Sequence, residues 1–230
     1  MKKSFSDRSE AGRALAQQLA KLDLRQPVVL ALPRGGVPVA AEIARELKAP
    51  LDLVLVRKIG VPWQPELAVA AIVDGEHPEM VIDTDVQRAA GVDRAYIEAE
   101  AKKQLREIER RRRAYLGGRS PIPLEGRTVI VVDDGIATGT TVRAALQALR
   151  RHKPAALVLA VPVAPRETIA ELRREVDRIV CLAEPEPFYA IGLHYGDFHQ
   201  VEDEEVTAAL SSVSGTSQSV GQDAGKPQQS

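Results

Sequence analysis

Five short stretches of the chain are apolar through most of their length: residues 27–33, 51–58, 128–134, 156–164 and 178–183. They do not alternate apolar and polar positions, which is the mark of strands covered on both faces and hence of a parallel sheet. Between them lie helix-length segments at 36–49, 140–152 and 166–176. Val39, Ile43 and Leu47 recur every four residues in the first, and Val142, Leu146 and Leu149 follow a four-three step in the second. An N-terminal helix over 9–22 would turn Ala11, Leu15 and Leu19 inward. Strands alternating with helices predict right-handed crossovers and a doubly wound, mostly parallel α/β sheet.

Two regions break the alternation. Residues 60–85 carry weak strand patterns at 67–73 and 80–83. A highly charged helix over 93–115 follows, with Ile97, Ala101, Leu105 and Ile108 on one stripe. Its basic run at 110–113 is interleaved with Glu98, Glu100, Glu107 and Glu109, so a solvated face is expected and not a nucleic-acid contact. The reading is one domain over 1–210, with an inserted hood or lid at about 60–115 and an aromatic C-terminal segment at 187–206. The Ser, Gly and Gln rich stretch 211–230 reads as a disordered tail.

Composition adds limits. The chain has 230 residues, 44% of them hydrophobic, enough for a core without disulfides, and its one cysteine, Cys181, excludes a disulfide framework or a cysteine zinc cluster. No apolar run approaches the ~20 residues that span a bilayer, and the opening MKKSFSDRSE lacks a signal peptide's apolar stretch. A soluble, cytoplasmic protein without a membrane partner is expected. A net charge of -1 gives no global field for nucleic acid, so any anion site must be local.

Local anion sites are what the strand ends offer. TVIVVDDGIATGTT, residues 128–141, is a buried strand that delivers Asp133 and Asp134 at its C-terminal end, then a small-residue turn, then a helix start. Ligands of open α/β sheets bind at that end of the strands. Backbone amides and hydroxyls from Ala137, Thr138, Gly139, Thr140 and Thr141 make an anion cradle. A ligand offering hydroxyls to the acids and a phosphate to the cradle is indicated, and a ribose 5-phosphate does both. The plain alternative is a strand ending in acids with Thr140 capping a helix. No Gly-Lys-Ser/Thr or G-x-G-x-x-G pattern stands here. LALPRGGVPVA places Arg34, Gly35 and Gly36 at the end of the first core strand, either an ordinary glycine turn or a second anion loop. VLVRKIGVP places Arg57 and Lys58 after a buried strand, as a surface basic pair or as cations facing a polyanion. In residues 187–206, Phe188, Tyr189, Tyr195 and Phe198 are four of the chain's eight aromatic residues. They could stack on a planar ring or merely seal the sheet edge. His194, Asp197 and His199 there make a weak metal motif.

VIVVDDGIATGTT resembles the phosphoribosyl pyrophosphate (PRPP) motif of type I phosphoribosyltransferases, with the Ala-Thr-Gly ending of the adenine type. The resemblance extends over about residues 5–206 and, in the C-terminal segment, is to a bacterial subgroup of the family that commonly has Trp-Tyr or Tyr-Tyr where this chain has His194-Tyr195. It implies that Asp133 and Asp134 bind the ribose hydroxyls as the catalytic acids, and that residues 137–141 bind the 5-phosphate. Arg34, Gly35 and Gly36 would hold the pyrophosphate, with Arg57 and Lys58 beside them, and a cis peptide is implied at Pro33–Arg34. Phe188 and Tyr195 would form the hood over the acceptor. The implied reaction transfers 5-phosphoribosyl from PRPP to a nitrogen nucleophile, a nucleobase-like small molecule, releasing pyrophosphate. Mg2+ would come with PRPP and could be shared with Asp133 and Asp134; a homodimer would be ordinary. Ala137 stands where 6-oxopurine enzymes place an acidic base, leaving Glu66, Asp74 or His194 as substitutes. The rival reading is a non-catalytic PRPP- or nucleotide-sensing regulator of the same fold.

Overall fold

A computed structural model describes residues 4–75 and 78–214. Helix α1 (Arg8–Leu19) leads into strand β1 (Val28–Ala31), helix α2 (Gly36–Leu47) and strand β2 (Leu51–Leu53). Later in the chain come β6 (Thr128–Val132), α5 (Thr140–Arg151), β7 (Ala156–Val163), α6 (Arg166–Leu172) and β8 (Arg178–Ala183). The five core strands form one sheet in the order β2-β1-β6-β7-β8, every pairing parallel, as the apolar runs predict. Along β6 the side chains divide by alternation: Ile130 and Val132 pack with α1 and α2, Val129 and Val131 with α5 and α6. Ala11, Leu15 and Leu19 are all fully buried, as the helical spacing requires.

The run 51–58 is not one strand. It leaves the core sheet after Leu53 and enters a second, antiparallel sheet of β3 (Val56–Val61), β4 (Gln64–Val73) and β5 (Glu79–Ile82). Val54 and Leu55 stay buried through the bend, so hydropathy carries no break there. The bend is held by polar contacts: Leu55 N–H donates to Asp74 Oδ1 at 2.6 Å, and Asp74 N–H to the Leu55 carbonyl at 2.9 Å. Helix α3 (Thr84–Ala90) and the long helix α4 (Arg94–Leu116) complete the insertion. One face of the second sheet buries Ile59, Val61 and Val69 with Ile97 and Ile108 of α4; the other buries Ala71 and Val73 with α5.

The Asp93 carboxylate begins α4 by accepting from the Ala95 N–H at 3.1 Å. Asp93→Ala is expected to cost about 1 kcal/mol, a melting midpoint lower by roughly 2–4 °C. An unchanged midpoint in thermal denaturation would refute this cap.

Near the C-terminal side the expected boundary shifts. Asp203–Ser214 forms helix α7, so 211–214 are helical and not part of a tail. Val206, Leu210 and Val213 make a four-three stripe buried against the core. Residues 215–230 lie outside the described residues.

Candidate active site

Two loops at the C-terminal ends of β1 and β6 meet. The Leu32 N–H donates to the Val132 carbonyl at 2.9 Å, and the Gly36 N–H returns to the Leu32 carbonyl at 3.0 Å. A Cβ on Gly35 would fall on the Asp134 carboxylate, and one on Gly36 would stand 2.7 Å from the Val132 carbonyl oxygen and 3.0 Å from the Asp133 Cα. Glycine at both positions is what lets the arginine-glycine loop lie directly on the acid turn. The Pro33–Arg34 peptide is cis, as the family resemblance implies.

The two acids have different surroundings. Asp134 is buried and paired to Arg8, whose Nε donates to Oδ2 at 2.8 Å. Tyr195 donates its hydroxyl to the Asp134 backbone carbonyl at 2.6 Å. Asp133 is half-buried and accepts the Asp134 N–H on Oδ1 at 2.9 Å. Burial, and then the neighbouring Asp134, push the Asp133 carboxyl well above the ordinary carboxylate range. Burial raises Asp134 too, against the pull of Arg8.

After the acids the chain turns through Gly139, whose φ of 73° is left-handed, into α5. No side chain caps this helix, so the first-turn N–H groups of Thr140 and Thr141 lack intrahelical partners and Thr140 is not the cap. Ala137, Thr138 and Thr140 are exposed, and Thr141 is half-buried. Thr168 on α6 donates from Oγ1 to the Ala137 carbonyl at 2.8 Å and fixes the turn from below. The expected cradle of 137–141 is therefore an open helix start beside the acid pair.

The remaining expected residues divide. Arg34 is partly exposed at the loop, with Nη1 3.5 Å from carboxylate oxygens of Glu202 and Asp203. Arg57 and Lys58 lie on β3 of the second sheet and not at the end of a core strand. Strand alternation sends neighbours to opposite faces. Arg57 donates to Gln104 of α4 at 3.0 Å, whereas Lys58 lines a pocket of about 260 Å³ with Thr140 and Arg143. The two do not face one diphosphate together. Tyr195 is 1% exposed, so its ring cannot form a hood over a ligand; its part is the hydroxyl behind Asp134. Phe188 is half-buried and stacks on His194 at 5.9 Å between centroids. Asp74 is no base candidate, since its carboxylate is held by Arg112 at 2.7 Å and by the Leu55 N–H. His194 is buried with Nε2 lacking a hydrogen-bond partner among the described residues.

Comparison with known proteins decides the family. Residues 6–194 match the family model of the phosphoribosyl transferase domain. The chain belongs to the phosphoribosyltransferase family. It is 50% identical over 208 residues to a protein of Mycobacterium tuberculosis strain H37Rv named "Putative phosphoribosyl transferase", covering 90% of this chain and 46% of that one. A protein of the same name from strain CDC 1551 matches equally. The chain thus spans about half the length of the curated relatives it matches. The crystal structure of TT1426 from Thermus thermophilus is 44% identical, with a TM-score of 0.79, covering 90% of this chain and 97% of that one. Within this member of the family, Arg8 and Thr168 were not legible as site residues, because each reaches its partner across more than thirty positions of sequence or from another element.

Proposed function

We propose that the protein transfers a 5-phosphoribosyl group from PRPP to a nitrogen atom of a nucleobase-like acceptor, with release of pyrophosphate. The observation that carries this reading is the contact of the Gly35–Gly36 loop with the acid pair, beside the uncapped start of α5. Three ligand features match three neighbouring surfaces: a diphosphate on the arginine-glycine loop, ribose hydroxyls on the acids, and a 5-phosphate on residues 137–141. In the reaction the bond from C1 to the diphosphate oxygen breaks, a C1–N bond forms, and the acceptor nitrogen gives up a proton to water. The acids accept hydrogen bonds from the ribose and favour the positive charge that grows on its ring. Arg34 and the loop amides take the charge that accumulates on the departing diphosphate. To do so Arg34 exchanges its contacts to Glu202 and Asp203, which are exposed and weak.

Magnesium fits this chemistry, because it takes phosphate and carboxylate oxygens and keeps several waters. Asp133, half-buried where Asp134 is buried, is the more open carboxylate of the pair, with Oδ1 on the Asp134 N–H. No group of three or more His, Cys, Asp or Glu among those residues is arranged to hold a metal alone. The acid pair and the oxygens of PRPP would share the ion, which would offset diphosphate charge.

Calorimetric titration with PRPP, with and without Mg2+, tests the proposal. Binding is expected to depend on Mg2+ and to weaken by about 100-fold or more in Asp133→Asn/Asp134→Asn, the scale of two charge-assisted hydrogen bonds. No binding at millimolar PRPP would overturn the reading. Pyrophosphate release on adding nucleobases would then separate a transferase from a sensor of PRPP.

A further inference from the structure

Between the second sheet and α5 lies the pocket of about 260 Å³ that Lys58 shares with Thr140 and Arg143. Among its walls the PRPP reading draws on Thr140 alone. We infer that this cavity binds a small organic phosphate: one planar apolar ring carrying a phosphate monoester. Such a site is additional to the three PRPP surfaces and does not depend on them.

The cavity exists because small residues meet. Lys58, Ala71 and Val81 stand opposite one another across β3, β4 and β5, so their side chains share one face of the second sheet. That face packs on α5, and the alanine in the middle of the row leaves a dip. In the next row on the same face Val73 is buried and Val56 partly so, and the space is filled. Across the dip, α5 presents Thr140, Arg143, Ala144 and Gln147, which helical spacing gathers on one side. Ala144 lines the helix wall as Ala71 lines the sheet wall. A slot bounded by methyl groups is left where larger side chains would interlock.

The polar groups around the slot suit an anion. Lys58 is exposed and has no ion-pair partner among the described residues. Arg143, on the opposite wall, pairs through Nη2 with Glu171 at 2.5 Å, a largely exposed contact that exchanges at little cost. Thr140 and Gln147 add a hydroxyl and an amide. Asp83 is the acid of the lining, and its Oδ1 is taken by the N–H groups of Asp85 and Val86. A phosphate monoester carries about two negative charges and three acceptor oxygens, so both walls can meet it at once. A carboxylate has one charge and two oxygens in a plane. The volume sets the body: pockets for drug-sized ligands begin at about 300 Å³, so this one falls short of a nucleotide and holds a single ring.

Calorimetric titration at constant ionic strength with phenyl phosphate, inorganic phosphate and benzoate tests the site. Phenyl phosphate is expected to bind at least about tenfold more tightly than either of the others, the scale of burying one ring. Ala71→Leu fills the slot and should reduce phenyl phosphate to the level of inorganic phosphate without lowering the melting midpoint. Lys58→Met should weaken phenyl phosphate by about tenfold, the scale of a charge-assisted hydrogen bond, and Lys58→Arg should keep most of the affinity. Phenyl phosphate that binds no more tightly than inorganic phosphate or benzoate overturns the proposal. So does an affinity that survives Ala71→Leu, which would put the ring elsewhere, or one that ignores Lys58→Met. If Ala71→Leu does not fold, Lys58→Met still decides, because that side chain is exposed. A wild-type protein that ignores PRPP would remove the transferase reading and leave the phenyl phosphate result standing.

Discussion

Replacing Arg112 with methionine is expected to remove about 3–5 kcal/mol of stability, the cost of leaving buried carboxylates without their counter-charge. Arg112 projects from the inward side of α4 into a small pocket beneath the helix. Its Nη1 meets Asp74 Oδ2 at 2.7 Å, and its Nη2 meets Asp52 Oδ2 at 3.2 Å. Asp52 also accepts the N–H groups of Leu53 and Ile122. The three side chains thus join β2 of the core sheet, the end of β4, the long helix and the chain approaching β6. Removing the arginine leaves two acids, 5% and 7% exposed, with His152 the other titratable residue lining that pocket.

The same variant should show a steeper pH response at Asp74, of the same sign. Burial already holds the Asp74 carboxyl above its ordinary value, with Arg112 pulling it down. Without Arg112 the folded value rises further, while the unfolded one stays near about 3.9. Between those two values the folded state binds more protons than the unfolded state, so stability falls as pH rises through the window. Denaturant titration should find the variant's deficit smaller at about pH 5 than at about pH 7.5. A deficit that grows on acidification would mean that Asp74 does not carry the effect.

Arg112 also illustrates what a sequence can reveal. It sits four residues after Ile108 on the stripe that runs from Ile97, so its inward position was available from spacing. The glutamates around residues 110–113 hid it, because a run of arginines among acids reads as a solvated face. Val206, Leu210 and Val213 carried an equally clear stripe for α7. The five core strands and the acid turn were legible because each is a local pattern: apolar run, acids, glycine, helix. The split after Leu53 was not, because a buried chain can change sheets without a change in hydropathy. Nor was the Arg8–Asp134 pair, separated by 126 positions. Tyr195 misleads for a related reason: an aromatic cluster predicts burial and ring stacking equally well, and only the fold chooses between them.

Gly36→Ala is expected to destabilise the protein and to weaken anion binding, against what helix propensity alone would give. Gly36 opens α2, where alanine favours the helix by about 0.5–1 kcal/mol over glycine. The new Cβ would stand 2.7 Å from a backbone carbonyl of β6 and 3.0 Å from the Asp133 Cα. Neither is a flexible side-chain end that could swing aside, so the loop and helix must back away from the acid turn. Overpacking of this kind costs about 1–3 kcal/mol, which outweighs the propensity gain. Separation of the two loops also parts the proposed diphosphate seat from the acids, so PRPP affinity should fall along with the melting midpoint. Gly117→Ala is the control for strain without contact: its φ is 56°, a Cβ there meets nothing within 4 Å, and it lies at the end of α4. That variant should lose about 1 kcal/mol and keep its PRPP affinity. A Gly36→Ala protein that melts higher and binds unchanged would mean the two loops do not touch in solution, and the three-surface match to PRPP would lose its foundation.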